Sequence, residues 1–177
     1  MAKQTQMIIY CSKKLETFLG HVNPINPQIN HSELGDWSGH LFTVNRKKCL
    51  ILVNIKTWYS VIILDVTKKD AKDFRQMFKV RLFEQLRFDL IINKEQEGKI
   101  KQTSNDIVFY KSNNDRSTMG VINYYVQHLK WAGQRDGGIE YSDMVHENSV
   151  INGTPMGKTF KFPRENMADM IATVANI

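Results

Sequence analysis

A single α+β domain is the fold class that this 177-residue sequence predicts, and three observations predict it. Apolar runs of strand length recur in "MIIYC", "HLFTVN", "KCLILVNI", "WYSVIILDV" and "DIVFYKS". Amphipathic stretches of helical period follow or separate them. The composition, 42% hydrophobic and 24% charged, is that of an ordinary globular chain long enough to bury a sizeable core. The expected architecture is a mainly antiparallel sheet of four to five strands, with three to four helices packed mainly on one face.

Met7 to Cys11 reads as the first strand, and "SKKLETFLG" as a helix with Leu15, Phe18 and Leu19 on one side and Gly20 as its stop. Residues 20–39 hold two Asn-Pro dipeptides, which push the preceding residue out of helix, so a long surface loop is expected there. His40 opens a hairpin whose two strands are separated by Arg46, Lys47 and Lys48. The runs "CLILV" and "VIIL" are continuous rather than alternating, which predicts central strands covered on both faces.

Thr67 and Asp70 fit a capping box ahead of Phe74, Phe78, Leu82, Leu86 and Leu90, the clearest helical stripe in the chain. The polar segment "NKEQEGKIKQTSN" reads as a loop and "DIVFYKS" as a strand. A second helix is expected from Ser117 to Trp131, with Met119, Ile122, Val126 and Leu129 inward and Gly133 as its stop. A short helix is expected over Tyr141 to Glu147, and a last one with Pro163 in its first turn.

Cys11 and Cys49 sit beside or inside apolar runs and are read as reduced and buried. The start lacks the apolar core of a signal peptide, and no run reaches the length of a membrane span, which points to the cytoplasm and away from a membrane partner. Twenty-four Lys and Arg against 18 Asp and Glu give a formal charge of +6, which favours acidic partners, nucleic acid among them.

Motifs with chemistry are few. "GTPMGKT" places three residues, one of them proline, between its glycines, so it reads as a turn rather than a phosphate loop. His21, His31, His40, His128 and His146 show no ligand spacing, and neither a metal nor a cofactor is expected. No catalytic residue stands out. In "NNDRSTMG" a strand leads into a helix start, where Arg116 and free N-H groups suit an anion; a cap made by Asp115 or Ser117 is the favoured reading. In "GDWSGH", Trp37 and His40 precede the cations; a core tryptophan is the favoured reading, and a platform for a base the other.

The stretches "MIIYCSKKL", "LFTVNRKKCLILVNIKTWYSVII" and "DRSTMGVIN", with "NGTPMGKTFKFP" more loosely, resemble a family of uncharacterised bacterial proteins known only as a domain of unknown function. The resemblance implies an intracellular protein of bacterial or phage origin and names no activity. By motif it carries over Arg46, Lys47, Lys48, Arg116, Ser117, Gly120 and Asn123.

The binding residues expected are therefore Trp37, His40, Arg46, Lys47, Lys48, Arg116, Ser117 and Asn123. The leading function is non-enzymatic binding of a phosphate-bearing partner, with nucleic acid as the main case. A protein-interaction regulator or inhibitor is the alternative, and an enzyme acting on a phosphate-containing substrate is the weaker one.

Overall fold

The structure, a computed structural model, describes residues 5–26, 28, 30–103, 106–157 and 162–175. Its strands, β1 (Met7–Cys11), β2 (Trp37–Val44), β3 (Lys47–Asn54), β4 (Ser60–Ile63) and β5 (Ile107–Lys111), form one sheet in the order β4-β3-β2-β1-β5. β1 pairs in parallel with both β2 and β5, whereas β3 runs antiparallel to β2 and β4. The sheet is mixed, which corrects the expectation of a mainly antiparallel one. The cause is the segment between β1 and β2: a helix plus a long loop brings the chain back to the same end of the sheet, where a hairpin would reverse it.

Among the described residues the helices number six, not three or four: α1 (Lys13–Leu19), α2 (Phe74–Phe88), α3 (Lys94–Thr103), α4 (Arg116–Arg135), α5 (Met144–Asn152) and α6 (Pro163–Ala175). They cover both faces of the sheet rather than mainly one. On one face Leu50 and Leu52 of β3 pack in a core with Leu15 of α1, Phe78 of α2, Ile100 of α3 and Ile171 of α6. On the other, Ile51 and Val53 pack with Ile122 and Leu129 of α4 and Ile151 of α5. A strand with a continuous apolar run, as at Cys49 to Val53, needs cover on both sides, and β3 receives it.

β4 is buried throughout and apolar from Val61 to Ile63, yet it is an edge strand. Its outer side is closed by side chains of α5 instead of a sixth strand. Asn152 Oδ1 accepts from the Ser60 backbone N-H at 2.8 Å, and Asn148 Oδ1 accepts from the Ile62 N-H at 3.0 Å. Both Nδ2 groups donate to the Ser60 carbonyl, at 3.0 and 3.1 Å. Two asparagines one helical turn apart thus imitate the ladder of a neighbouring strand. The opposite edge, β5, is closed by the 20–36 loop, where Asn23 donates to the Phe109 carbonyl and accepts from Lys111 N-H, at 2.9 and 3.0 Å.

Several local expectations shift for identifiable reasons. The Thr67–Asp70 capping box opens a 3-10 turn (Lys68–Ala71), and α2 proper begins at Phe74. The segment read as a polar loop holds α3, started by reciprocal bonds between Asn93 and Gln96 and held to the core by Ile100 alone among its described buried apolar residues. α4 continues past Gly133, because a Cβ there would stand 2.8 Å from Asn45 Oδ1; glycine is a point of close approach, not a stop. The helix expected over Tyr141 to Glu147 is a 3-10 turn (Ile139–Tyr141) followed by α5. The turn expected in "GTPMGKT" runs into residues 158–161, outside the described ones.

Replacing Asn148 or Asn152 with alanine leaves buried backbone groups of β4 without partners and should lower the unfolding free energy by about 1–3 kcal/mol each. Urea denaturation measures it, and a loss of only a few tenths of a kcal/mol would show that solvent substitutes for the amides.

Candidate functional site

β1 and β5 lie side by side and end at the same level, with Cys11 opposite Lys111. Beyond that point the chain leaves each strand for a different face of the sheet. Ser12 caps α1, which carries Leu15 and Phe18 into one core, and Asp115 caps α4, which carries Ile122 and Leu129 into the other. Adjacent parallel strands whose helices depart to opposite faces leave a crevice at their carboxyl ends, the place where open sheets of this kind bind ligands. Here it is a cleft of about 810 Å³, lined by Lys13, His40, Lys111 and Arg116 among others.

The charge of the cleft is unbalanced. Lys13, Lys111 and Arg116 face it, against Glu16 as the carboxylate among its described lining residues, 3.2 Å from Lys13 Nζ. Lys14 adds to the positive field felt at His40. Asparagine and serine side chains from the β5–α4 connection complete a polar wall.

His40 reaches the cleft through strand parity. Gly39 faces α1, where a Cβ would stand 2.6 Å from Leu15 Cδ2, so its neighbour faces the α4 side. The imidazole Nδ1 is buried without a hydrogen-bond partner. Burial first, and Lys14 second, hold its pKa below the ordinary value. Cys11 also touches the cleft but belongs to the opposite face, in the core with Ile9 and Leu15. Burial, helped by Glu16, pushes its thiol up to about 12, so it is no nucleophile at neutral pH.

The first turn of α4 is already satisfied. Asp115 Oδ1 accepts from the backbone N-H of Ser117 and Thr118 at 3.0 and 3.4 Å, and its other oxygen accepts from the Thr118 hydroxyl at 2.6 Å. The favoured reading of this motif as a cap holds: a protein carboxylate fills the place an external anion would take. Arg116 and Ser117 remain exposed, as does Asn123 two turns on.

Trp37 must be withdrawn as a binding residue. It is 0% exposed, edge-on to Phe78 at 5.2 Å, because β2 begins at Trp37 and its odd positions face the α2 side. The hairpin tip stands elsewhere. Asn45 and Arg46 form its two-residue turn with φ of 47° and 67°. Lys47 is tied to Asp65 at 2.9 Å, while Arg46 and Lys48 are exposed. Asn45 abuts Gly133 in the last turns of α4, whereas Arg116 begins that helix, so the two basic motifs lie roughly 25 Å apart along its axis. The structure unites His40 with Arg116 and separates both from Arg46.

Sequence reasoning missed Lys13 and Lys111. The signal was present as two strand ends of similar form, "YCSKK" and "YKSNNDR", each passing from an apolar strand through serine into a helix start. Only the parallel pairing of the two strands makes them neighbours.

Residues 8–166 match the family described as a domain of unknown function, DUF6933, and the chain belongs to that family. The matched span contains both the 45–49 and the 116–123 motifs. No curated protein and no solved structure matches the chain. Among the described residues, no helix is long and apolar enough to cross a membrane.

Two outcomes follow from this geometry. With the His40 pKa lowered, the unfolded chain holds a proton that the folded one has released whenever the pH lies between the two values. Stability from this group is therefore complete above about 6.5 and falls as the pH drops through the folded value. Thermal melts of His40→Asn should gain on the parent as pH is lowered from about 7 to about 5; a constant difference would mean a freely titrating imidazole. Arg46 occupies a left-handed position that glycine adopts without strain, so Arg46→Gly should raise stability by roughly 0.5–1 kcal/mol in the same assay. A loss would show that the guanidinium makes a compensating contact.

Proposed function

We propose that this protein binds a phosphate-bearing partner without transforming it, and that the cleft at the ends of β1 and β5 holds a phosphate. The observation that carries the reading is the convergence of Lys13, Lys111 and Arg116 on one crevice at the switch point of the sheet. Simple cation pairs on a convex surface are solvated and contribute little, but a concave site brings several donors to one anion. The exposed Arg46 and Lys48, at the far end of α4, supply a second contact for a polyanion longer than one nucleotide. Nucleic acid in the cytoplasm suits that span, and the free, buried Cys11 and Cys49 suit a reducing compartment.

Enzyme chemistry has weaker support. His40 and Arg116 share the cleft, but Asp115 is committed to the helix cap and the Cys11 thiol is unreactive. A protein-interaction role draws on Phe88 and Leu90, exposed together where α2 ends.

Calorimetric titration with inorganic pyrophosphate tests the cleft. Binding should weaken with added salt, and the exposed double substitution Lys111→Ala, Arg116→Ala should weaken it at least about tenfold, as expected for losing charge-assisted bonds. Absence of binding, or unchanged affinity in the double variant, would overturn the assignment.

A further inference from the structure

We infer that the solvent face of α4 is a track for single-stranded nucleic acid, on which Tyr124 and Trp131 stack bases while Arg116 and Lys130 contact the backbone. The inference rests on the phosphate-binding reading and names its partner.

α4 is unusual in what its outer face carries and what it lacks. Its sequence, "RSTMGVINYYVQHLKWAGQR", contains no aspartate or glutamate. Tyr124 and Trp131 are 53% and 69% exposed on it. At 100° per residue, seven residues bring Trp131 back to within about 20° of Tyr124 and roughly 10 Å along the axis, so both rings stand on one flank of the helix. Arg116, Asn123, Gln127, Lys130 and Gln134 are exposed beside them and fall within about 40° of the Arg116 direction.

Neighbouring acids do not cancel this charge over most of the length. Asp115 is turned into the helix start. Asp136 and Glu147 are bonded to Arg135, which is therefore left out of the track. Glu140 and Asp143 lie beyond the helix, toward its C-terminal end.

The choice of partner follows from spacing. Two rings about 10 Å apart with Gln127 and Lys130 between them along the axis do not make the contiguous apolar patch that a protein interface centres on. They do match the recipe for single strands, where aromatic faces take bases of any sequence and cations follow the phosphates. A duplex keeps its bases stacked inside and offers these rings no face. The track is about 30 Å long, leads at Arg116 into the cleft with Lys13 and Lys111, and ends where Gly133 meets the hairpin that bears Arg46.

The test is fluorescence anisotropy with a labelled single-stranded RNA and DNA of about fifteen nucleotides of mixed sequence, and with the corresponding duplex. Single strands should bind more tightly than the duplex. Tyr124→Ala with Trp131→Ala, both exposed and harmless to the core, should weaken binding about tenfold or more with the salt slope unchanged. Arg116→Ala and Lys130→Ala should each reduce that slope by about one. Equal binding of the aromatic double variant and the parent, a preference for duplex, or no binding of either strand type would overturn the inference. If pyrophosphate still binds the cleft in that case, the phosphate-binding reading stands and the track alone fails.

Discussion

The β4 margin of the sheet is closed by two asparagine side chains, and the placing of α5 and of the C-terminal half of α4 follows from that closure. An unpaired edge strand as apolar as β4 would be a template for association with another chain. Asn148 and Asn152 instead supply two acceptors and two donors to Ser60 and Ile62 in a fully buried setting, where an unmade bond costs more than a made one contributes. Asn152 also donates to Asp89, a buried carboxylate that accepts from the Tyr59 hydroxyl at 2.7 Å, with Arg164 3.8 Å away. The apolar edge and the polar network are therefore one unit, and α5 has a single position that satisfies both. From that position Glu147 accepts from Arg135 at 2.6 Å and meets the His128 ring, which ties the C-terminal half of α4 to α5. The helix that bears the exposed aromatics thus takes its place from the closure of the sheet edge.

The other end of α4 is placed by topology. β1 and β5 are parallel neighbours, and their helices depart to opposite faces because each face presents its own core: Ile9 and Leu15 on one side, Phe42 and Ile122 on the other. A crevice between the strand ends is the geometric result, and it needs no residue chosen for binding. Its lining, by contrast, is set mostly by the residues that end and follow the two strands. Three cations there repel one another, and among the described lining residues Lys13 alone has a carboxylate beside it. In water such repulsion is mild, so the cluster is tolerated at little cost in stability, and a bound anion would relieve it.

Much of the fold was readable in the sequence, and the misses share a cause. Strand runs and the stripes of α2, α4 and α6 were visible because local periodicity reports burial directly. The parallel pairing of β1, the closure of β4 by amides and the helix α3 depend on residues far apart in the chain or on a single anchor such as Ile100, and no local period encodes them. The site was half readable for the same reason. His40 and Arg116 were singled out from their own neighbourhoods, whereas Lys13 and Lys111 acquire meaning only when two strands pair. Trp37 was drawn both ways by its setting beside a glycine-rich loop and the cations, and the start of β2 at that residue decides for the core.

The hairpin tip places its three cations in three different settings. A two-residue turn with both φ values positive is the geometry in which Asn-Gly is the relaxed pair, and this chain puts arginine in the glycine position. If the tip served only to keep the sheet soluble, a charge at Lys47 or Lys48 would do so without strain, and Lys47 is in any case neutralised by Asp65. The arginine at the tip follows Asn45, which meets Gly133 in the last turns of the helix whose first residue is Arg116, so in the proposed binding mode a long anion would be held near both ends of α4. The conformation itself is the one a two-residue hairpin demands, so its cost is set by the tight β2–β3 connection, and the close approach of Asn45 to Gly133 leaves that connection no room to lengthen.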